Sequence, residues 1–294
     1  MARKIFKGVW LLFINPVLFL KYLRKFFFER VIFAFFRPPL HFVKNIRGVI
    51  FEADFKSFPQ DKGFQECVKE IYFDTYEVEV REYMEKILKT GDIFVDVGAS
   101  AGYLSAIGAS LVKESGQVHC FEPAPILFQS LGKLPLKNPK YKIIVNNCAL
   151  GDKTGTIKFN YAAFPSLGGS SIVPGFLEFH HISKVQTIDV PIMRLDEYLQ
   201  KNKLERVALI KIDVEGYEFP VLKGLKNYFE NTKHRPDIIC EIQPSAYPFL
   251  DYTRGQFLEY MRGYGYEAYN IFAPRLKIDI TKLEKGDNVI FRAR

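Results

Sequence analysis

The chain of 294 residues has few of the residue types that form disulfide frameworks and transition-metal sites. It contains four cysteines, five histidines and one tryptophan, and no two cysteines have the CxxC spacing typical of zinc ligands. Cys120, Cys148 and Cys240 lie in or next to apolar stretches, where a free thiol packs as a small apolar side chain. These features predict a reduced, cytoplasmic setting and no metal site.

No apolar run reaches the roughly 20 residues that a helix needs to cross a bilayer. The two longest runs, residues 9–20 and 26–36, lie near the N-terminus, and Pro16 interrupts the first. Residues 1–50 hold ten Lys and Arg against one Glu, a charge of +9, which leaves −1 for the rest of the +8 chain. We therefore expect residues 1–47 to form a leader that contacts an anionic membrane surface from the cytoplasmic side. A helix packed on the body, or on a partner, is the alternative.

The nearly neutral body argues against nucleic acid as a partner, because tracking phosphates needs positive charge on the binding domain. In the body, strand-like apolar runs alternate with helix-like ones, as in a parallel sheet covered by helices on both faces. A segment at about 155–193 interrupts this rhythm with two strand-like pieces around a loop rich in Gly, Ser and Pro. The sequence predicts one α/β domain over residues 48–294, with this insertion close to the ligand crevice and a C-terminal hairpin at the sheet edge.

The stretch DVGASAG, residues 96–102, follows the first strand-like run of the alternating series. It has neither the GxGxxG of dinucleotide-binding folds nor the GK[ST] of triphosphate loops, and Asp96 at its start would repel a phosphate and attract a cation. Glu122, at the end of the next strand, is placed to accept hydrogen bonds from ribose hydroxyls. A nucleoside with positive charge and no phosphate, S-adenosylmethionine, fits these features. Close strand–helix packing for Gly98 and Gly102, and a helix N-terminal acid for Glu122, are the structural alternatives.

Five motifs in order over residues 72–243 resemble the FkbM-type S-adenosylmethionine-dependent methyltransferases: YEVEVREYMEKILKTGDIFVDVGASAGYLS, VHCFEP, CALGD, RLDEYL and ALIKIDVEGYEFPVLKG. The resemblance implies a Rossmann-like class I methyltransferase fold with a mostly parallel seven-stranded sheet. It also implies methyl transfer to a hydroxyl of a sugar, or of a glycosylated or polyketide product. One position departs from the family, which commonly has Asn where this chain has Ser100; the shorter side chain bears on cofactor affinity.

The resemblance also assigns cofactor contacts to individual residues. It places Asp96, Gly98, Ser100 and Gly102 at the methionine end, Glu122 at the ribose, and the turn Asn147, Cys148 and Ala149 at the adenine edge.

The motif KIDVEGYE places two acids, Asp213 and Glu215, at the carboxyl end of a buried strand and on the same side of it. Glu241, near the end of the following strand, is expected beside them. Converging carboxylates raise one another's proton affinity, which suits a general base for an alcohol. We predict that Asp213 faces the cofactor or the acceptor hydroxyl, and that Glu215 or Glu241 takes or relays the proton.

Other roles remain open for these acids. They could cap the following helix, pair with Lys211, or bind a hard cation, and His180 or His181 in the inserted loop could act as the base instead.

The favoured function is a membrane-associated O-methyltransferase that acts on a hydroxyl of a sugar, glycan or glycolipid-like acceptor. A membrane adaptor that keeps the fold without catalysis, and an NAD-dependent oxidoreductase, are the alternatives.

Overall fold

Strands buried on both faces form the centre of the protein. The computed structural model describes residues 16–27, 37–55, 62–162, 170–179 and 185–293. In chain order its strands are β1 (His41–Ile46), β2 (Val49–Asp54), β3 (Ile93–Val97), β4 (Gln117–Phe121), β5 (Lys142–Asn146), β6 (Ala149–Leu150), β7 (Gly155–Ala162), β8 (Ser170–Ser171), β9 (Val185–Met193), β10 (Val207–Ile212), β11 (Asp237–Ile242), β12 (Tyr266–Asn270) and β13 (Asp287–Ala293).

Helices cover both faces of the central sheet. They are α1 (Pro16–Phe27), α2 (Lys62–Tyr72), α3 (Val78–Ile87), α4 (Tyr103–Val112), α5 (Pro125–Leu131), α6 (Lys133–Lys137), α7 (Phe176–Phe179), α8 (Leu195–Lys201), α9 (Glu218–Lys223), α10 (Lys226–Asn231) and α11 (Arg254–Gly263). Two short 3₁₀ helices, Pro244–Phe249 and Ile280–Lys282, lie near the C-terminus.

The central sheet has seven strands in the order β12-β13-β11-β10-β3-β4-β5. The run from β11 to β5 is parallel, and β13 and β12 add antiparallel strands at one edge. Its apolar strand residues are fully buried, with Phe94, Ile210 and Ile239 at 0% exposure. This arrangement confirms the predicted α/β class. Since chain order reverses between β3 and β10, a crevice opens at the carboxyl ends of these two strands.

The inserted segment forms a second sheet, in the order β6-β9-β7-β8. Strands β7 and β9 pair antiparallel from Gly155 opposite Ile192 to Ala162 opposite Val185, as the two strand-like pieces predicted. The short strand β8 pairs with the end of β7 and carries the chain back toward the crevice. His180 and His181 lie outside the described residues.

The predicted boundary at residue 47 falls inside a hairpin. Strands β1 and β2 pair antiparallel around a two-residue turn, Arg47–Gly48, in which both residues have positive φ (53° and 98°). Such a turn matches the twist of the two strands and sets their register. Residues 41–46 therefore pack with the body, and only what precedes them can act as a separate leader.

Part of that leader lies within the described residues as α1. Leu18 of α1 is buried and Lys21 pairs with Glu82 of α3, so the helix packs on the body. Among the described residues, no helix combines the length and apolar character needed to cross a membrane.

Candidate functional site

A cavity of about 430 Å³ opens at the carboxyl ends of the central strands, where the topology predicts a ligand site. Its lining comes from the loop after β3, the ends of β4, β10 and β11, the segment between α2 and α3, and the inserted sheet. All three predicted catalytic acids and most of the predicted cofactor residues line it.

Gly98 brings two strand ends close together. A Cβ atom at this position would lie 1.8 Å from the carbonyl oxygen of Asp213, and the φ of +77° is also one that favours glycine. The two adjacent N–H groups, of Gly98 and Ala99, donate to the carbonyl of Phe121. The Asp213 backbone fills the space that a side chain at Gly98 would need, so glycine at this position lets the two strand ends meet at the floor of the cavity.

Gly102 has a different role from the one predicted. It is not among the residues that line the cavity, and a Cβ there would come within 2.8 Å of Leu131 Cδ1. Its φ of +89° lets the chain turn at the start of α4, at a point where the backbone packs against α5. Close packing, the structural alternative at this position, explains Gly102, because the α5 side chain occupies the space that a larger residue would need.

Glu122 ends β4 with its carboxylate held in place. One carboxylate oxygen accepts from the N–H of Ser100 at 2.8 Å and the other from the N–H of Ala124 at 2.9 Å. Burial raises the pKa of Glu122 to about 7, although these two hydrogen bonds oppose the rise. Each oxygen keeps a second lone pair, so the carboxylate can still accept hydrogen bonds from a ribose diol.

The predicted adenine edge is only partly in the cavity. Cys148 and Ala149 line it together with Leu150 and Phe121, and these make an apolar end suited to a flat ring. Asn147 is exposed, and its side-chain amide donates to the carbonyls of Glu122 and Pro123. It therefore braces the neighbouring loop and lies outside the cavity lining.

Asp96 lies at the floor of the cavity and is 1% exposed. Its Oδ2 accepts from the hydroxyl of Ser105 at 2.6 Å, whereas its Oδ1 has no hydrogen-bond partner among the described residues. Burial raises the pKa of Asp96, against the opposing effects of Lys211 and Ser105. A buried acceptor without a partner is costly, so the site favours a ligand that brings a donor or a positive charge.

The three predicted catalytic acids, Asp213, Glu215 and Glu241, come together. Each offers a carboxylate oxygen, and these oxygens lie within 4.8 Å of one another. Burial and the neighbouring Asp213 raise the pKa of both Glu215 and Glu241 well above the ordinary range. Burial also acts on Asp213, but the Lys211 ammonium and a hydrogen bond with Glu241 outweigh it and lower the pKa of Asp213.

Lys211 is the residue that lowers the pKa of Asp213 while the pKa values of Glu215 and Glu241 stay raised. It is 3% exposed and its Nζ lies 2.8 Å from Asp213 Oδ2. Burial by itself lowers the pKa of Lys211, but the surrounding carboxylates, Asp213 first, raise it overall. A lysine inside an otherwise apolar strand, ALIKI, was the sequence signal for this role, since a buried lysine needs partners.

The backbone at Glu215 is held in an unusual conformation. Its φ is 52°, a region that few residues other than glycine adopt. The hydroxyl of Ser171 in β8 donates to the Glu215 carbonyl at 2.6 Å, and Glu218 accepts from the Gly216 N–H at 2.7 Å. The inserted sheet therefore fixes the turn that carries Glu215, and Glu218 supports the turn without lining the cavity.

Two further polar residues line the cavity that the sequence did not single out. Glu77 stands just before α3 with φ at 40°, and Ser170 comes from β8. Glu77 Oε2 and Ser170 Oγ are both buried with no hydrogen-bond partner among the described residues. Glu77 belongs to the first of the five motifs, which was the signal that could have found it, whereas Ser170 reaches the crevice through the packing of the inserted sheet.

Comparison with protein families gives one matching family model, described as the Methyltransferase FkbM domain, over residues 96–268. This match contains Asp96, Glu122 and all three acids of the cluster.

Curated proteins of similar sequence include the following three. Methyltransferase sdnD of Sordaria araneosa is 29% identical over 163 residues, which are 47% of this chain and 62% of that protein, so the match spans less than two thirds of the relative. The 31-O-demethyl-FK506 methyltransferase FkbM of Streptomyces tacrolimicus is 23% identical, covering 61% of this chain and 74% of that one. The hexuronic acid methyltransferase AglP of Haloferax volcanii is 25% identical, covering 69% and 71%.

Solved structures give low similarity scores. The FkbM methyltransferase of Methylobacillus flagellatus superposes with a TM-score of 0.42 and 16% identity, over 81% of this chain and 56% of that one. Fibrillarin of Aeropyrum pernix, crystallised with natively bound S-adenosyl-L-methionine, gives a TM-score of 0.40 and 11% identity, over 70% and 67%.

Proposed function

The chain belongs to the FkbM methyltransferase family, and from that premise we propose that it is an O-methyltransferase acting on a hydroxyl of a sugar, glycan or glycolipid-like acceptor. The family match covers more than half of the chain, and S-adenosyl-L-methionine is the cofactor. The residues present suit that cofactor: an apolar end at Cys148 and Ala149, a carboxylate at Glu122 for the ribose, and an unpartnered oxygen on Asp96 for a positive group.

One arrangement carries the catalytic part of the proposal: the carboxylate oxygens of Asp213, Glu215 and Glu241 lie within 4.8 Å of one another, and Lys211 Nζ lies 2.8 Å from Asp213 Oδ2. Lys211 lowers the pKa of Asp213, while burial raises that of Glu215 and Glu241. Asp213 is therefore the carboxylate that can accept a proton at neutral pH, in place of the Glu215 or Glu241 that the sequence predicted. Its lowered pKa makes it a weaker base than an ordinary carboxylate. Glu241, which is hydrogen-bonded to Asp213, can relay a proton or stabilise the charge.

S-adenosyl-L-methionine, held by Cys148, Glu122 and Asp96, would supply a methyl group on positively charged sulfur, and the sulfur would leave with the bonding electron pair as the acceptor oxygen bonds to the methyl carbon. The protein aligns the two reactants and takes the hydroxyl proton on Asp213. Positive sulfur already activates the methyl carbon. A base is still needed, because an alcohol is a weak nucleophile until it begins to lose its proton.

The acceptor side of the cavity is formed in part by the inserted sheet. Phe159, Ser170 and Ile172 line the cavity from there, and they offer an aromatic ring, a hydroxyl and an aliphatic surface. This mixture suits a carbohydrate, which presents apolar ring faces between hydroxyls. Two relatives, named as a hexuronic acid methyltransferase and a 31-O-demethyl-FK506 methyltransferase, support a hydroxyl-bearing acceptor.

Peripheral membrane contact is part of the proposal, and the outer face of α1 supports it. Leu20 and Leu23 are 62% and 51% exposed, and Arg24 beside them is also exposed. Apolar side chains next to basic ones suit the interface of an anionic bilayer. The remaining described parts of residues 1–47 pack on the body, so α1 is the described segment that would make this contact.

The first experiment is a calorimetric titration of the full chain with S-adenosylmethionine and, separately, with NAD. We expect S-adenosylmethionine to bind and NAD to give no heat of binding. Tight NAD binding alone would favour the oxidoreductase alternative. Binding of neither would favour the adaptor, whose sequence support is Ser100.

The second experiment follows labelled methyl transfer from S-adenosylmethionine to a panel of neutral glycosides, uronic acids and polyketide alcohols. For an acceptor so found, Asp213→Asn should lower kcat by about a hundredfold or more, the range of a general base. Cofactor affinity should change little. Asp189→Asn, an exposed Asp to Asn change in β9 at the surface ion pair with Lys158, is the matched control and should keep full activity. Unchanged turnover in Asp213→Asn would exclude Asp213 as the base.

A further inference from the structure

The cavity is lined by far more acidic than basic side chains. Six carboxyl groups line it, and Lys211 is the one cationic side chain among the described residues that do so. Lys211 is already engaged with Asp213 at 2.8 Å. The six acids are Glu77, Asp96, Glu122, Asp213, Glu215 and Glu241. Such an excess is costly in a buried site unless protons or a cationic ligand reduce it.

The strand order places these acids in sequence along the crevice. The apolar end at Cys148 and Ala149 follows β5, Glu122 ends β4, Asp96 lies in β3 and Lys211 lies beside it in β10. Asp96 and Lys211 are direct partners in the parallel register. A ligand with its ring at β5 and its ribose at β4 therefore extends its remaining part toward β3 and β10.

Glu77 reaches this same place from outside the sheet. Its side chain is 18% exposed, and its Oε2 is buried with no hydrogen-bond partner among the described residues. The nearest cation, Lys211 Nζ, is 3.9 Å from that oxygen, beyond hydrogen-bond distance. Burial raises the pKa of Glu77 to about 7, with Lys211 opposing the rise. Glu77 thus lines the cavity with an oxygen that lacks a donor.

We infer that Glu77, together with Asp96, binds the ammonium group of the amino-acid tail of S-adenosylmethionine. This inference rests on the proposed function. Among the described residues that line the cavity, Asp96 and Glu77 are the two that each hold a buried carboxylate oxygen, Oδ1 and Oε2, without a hydrogen-bond partner. An ammonium group has three donors, so it can satisfy both oxygens at once and neutralise part of the excess charge. Glu77 lies outside the segment that matches the family model but inside the first of the five motifs, and it stands at the N-terminus of α3, next to the crevice.

The test compares two ligands that differ in the amino-acid tail. S-adenosylhomocysteine keeps the ammonium group and has neutral sulfur, whereas methylthioadenosine keeps the nucleoside and the thioether without the tail. In the full chain, Glu77→Gln should weaken S-adenosylhomocysteine binding by about tenfold to a hundredfold, the size expected for one charge-assisted hydrogen bond. Binding of methylthioadenosine should stay the same. Glu77→Asp, which keeps the carboxylate on a shorter side chain, should lose less affinity for S-adenosylhomocysteine.

Glu79→Gln is the matched control, because it makes the same change two residues away and outside the cavity lining. It should leave the affinities for both ligands as in the wild type. Unchanged S-adenosylhomocysteine binding in Glu77→Gln would overturn the inference, and so would an equal loss for both ligands, since that would report a general change in the cavity. Failure of the wild type to bind either ligand would instead contradict the proposed function.

Discussion

At the residue scale, Ser100 is held in a backbone conformation that does not suit it. Its φ is 52°, and its N–H donates to Glu122 in that conformation. Among residues other than glycine, Asn adopts the left-handed region more readily than Ser, because its side chain can hydrogen-bond locally. The Asn that is common at this position in the family thus has a backbone reason as well as a polar one.

Replacing Ser100 with Asn should therefore stabilise the protein. We expect the free energy of unfolding to rise by about 0.5–1 kcal/mol, part of the cost of a left-handed residue other than glycine. Denaturant unfolding measures it. Ser115→Asn, at an exposed serine without a positive φ, should bring no such gain. Equal stability of Ser100→Asn and wild type would show that the backbone at residue 100 is not strained.

Single residues also show where sequence patterns reach their limit. Gly98 of DVGASAG lines the cavity, whereas Gly102 in the same motif packs against Leu131. Asn147 likewise braces a loop while its neighbours Cys148 and Ala149 line the site. Adjacent positions in a motif face different directions, and the local pattern does not reveal which of them meets a ligand.

At the element scale, the N-terminal region divides into two parts with different surroundings. The hairpin of β1 and β2 packs on the body, and Phe51 and Ala53 of β2 are buried in its core. Helix α1 instead rests on α3 and presents Leu20 and Leu23 outward. The leader can therefore be tested without disturbing the hairpin.

Deleting residues 1–37 should release the protein from vesicles that contain phosphatidylglycerol and leave S-adenosylmethionine binding intact. The physical reason is the loss of the exposed apolar face of α1 together with most of the basic residues of the leader. Co-sedimentation measures vesicle binding. In the full chain, the double change Leu20→Ser and Leu23→Ser should weaken sedimentation without altering the unfolding midpoint. A truncated chain that still sediments with vesicles would contradict the membrane role.

At the scale of the whole molecule, buried carboxyl groups make stability depend on pH. The pKa values of Glu122 and Glu218 are raised by burial to about 7 and about 8, against 4.5 in an exposed group. The folded state therefore binds more protons than the unfolded state up to about pH 8. Stability must then fall as pH rises through this range. Burial lowers the pKa of His119 to about 4, which acts in the opposite direction but only below about 6.5.

We expect the free energy of unfolding without cofactor to decrease from pH 6.5 to pH 8, and Glu218→Gln to flatten this dependence. Glu218 is 0% exposed, and its Oε2 has no hydrogen-bond partner among the described residues, so a neutral amide removes the cost of its ionisation. Denaturant titrations across that pH range give the slope. Glu230→Gln, at an exposed position, should reproduce the wild-type slope. If the stability of Glu218→Gln depends on pH as steeply as that of the wild type, this account is refuted.

The sequence was enough to predict the sheet and the family, and it singled out most of the candidate cofactor residues that line the cavity. Periodicity is a local property, so continuous apolar strands between helices predicted the parallel sheet, and the positions of Asp96 and Glu122 at strand ends follow from it. The tertiary structure alone decided the rest. Glu77 and Ser170 reach the cavity from elements distant in the chain, and Lys211 gives Asp213 a protonation state different from that of Glu215 and Glu241. Distance, burial and charge between such residues arise only when the chain is folded, because each depends on which elements pack together.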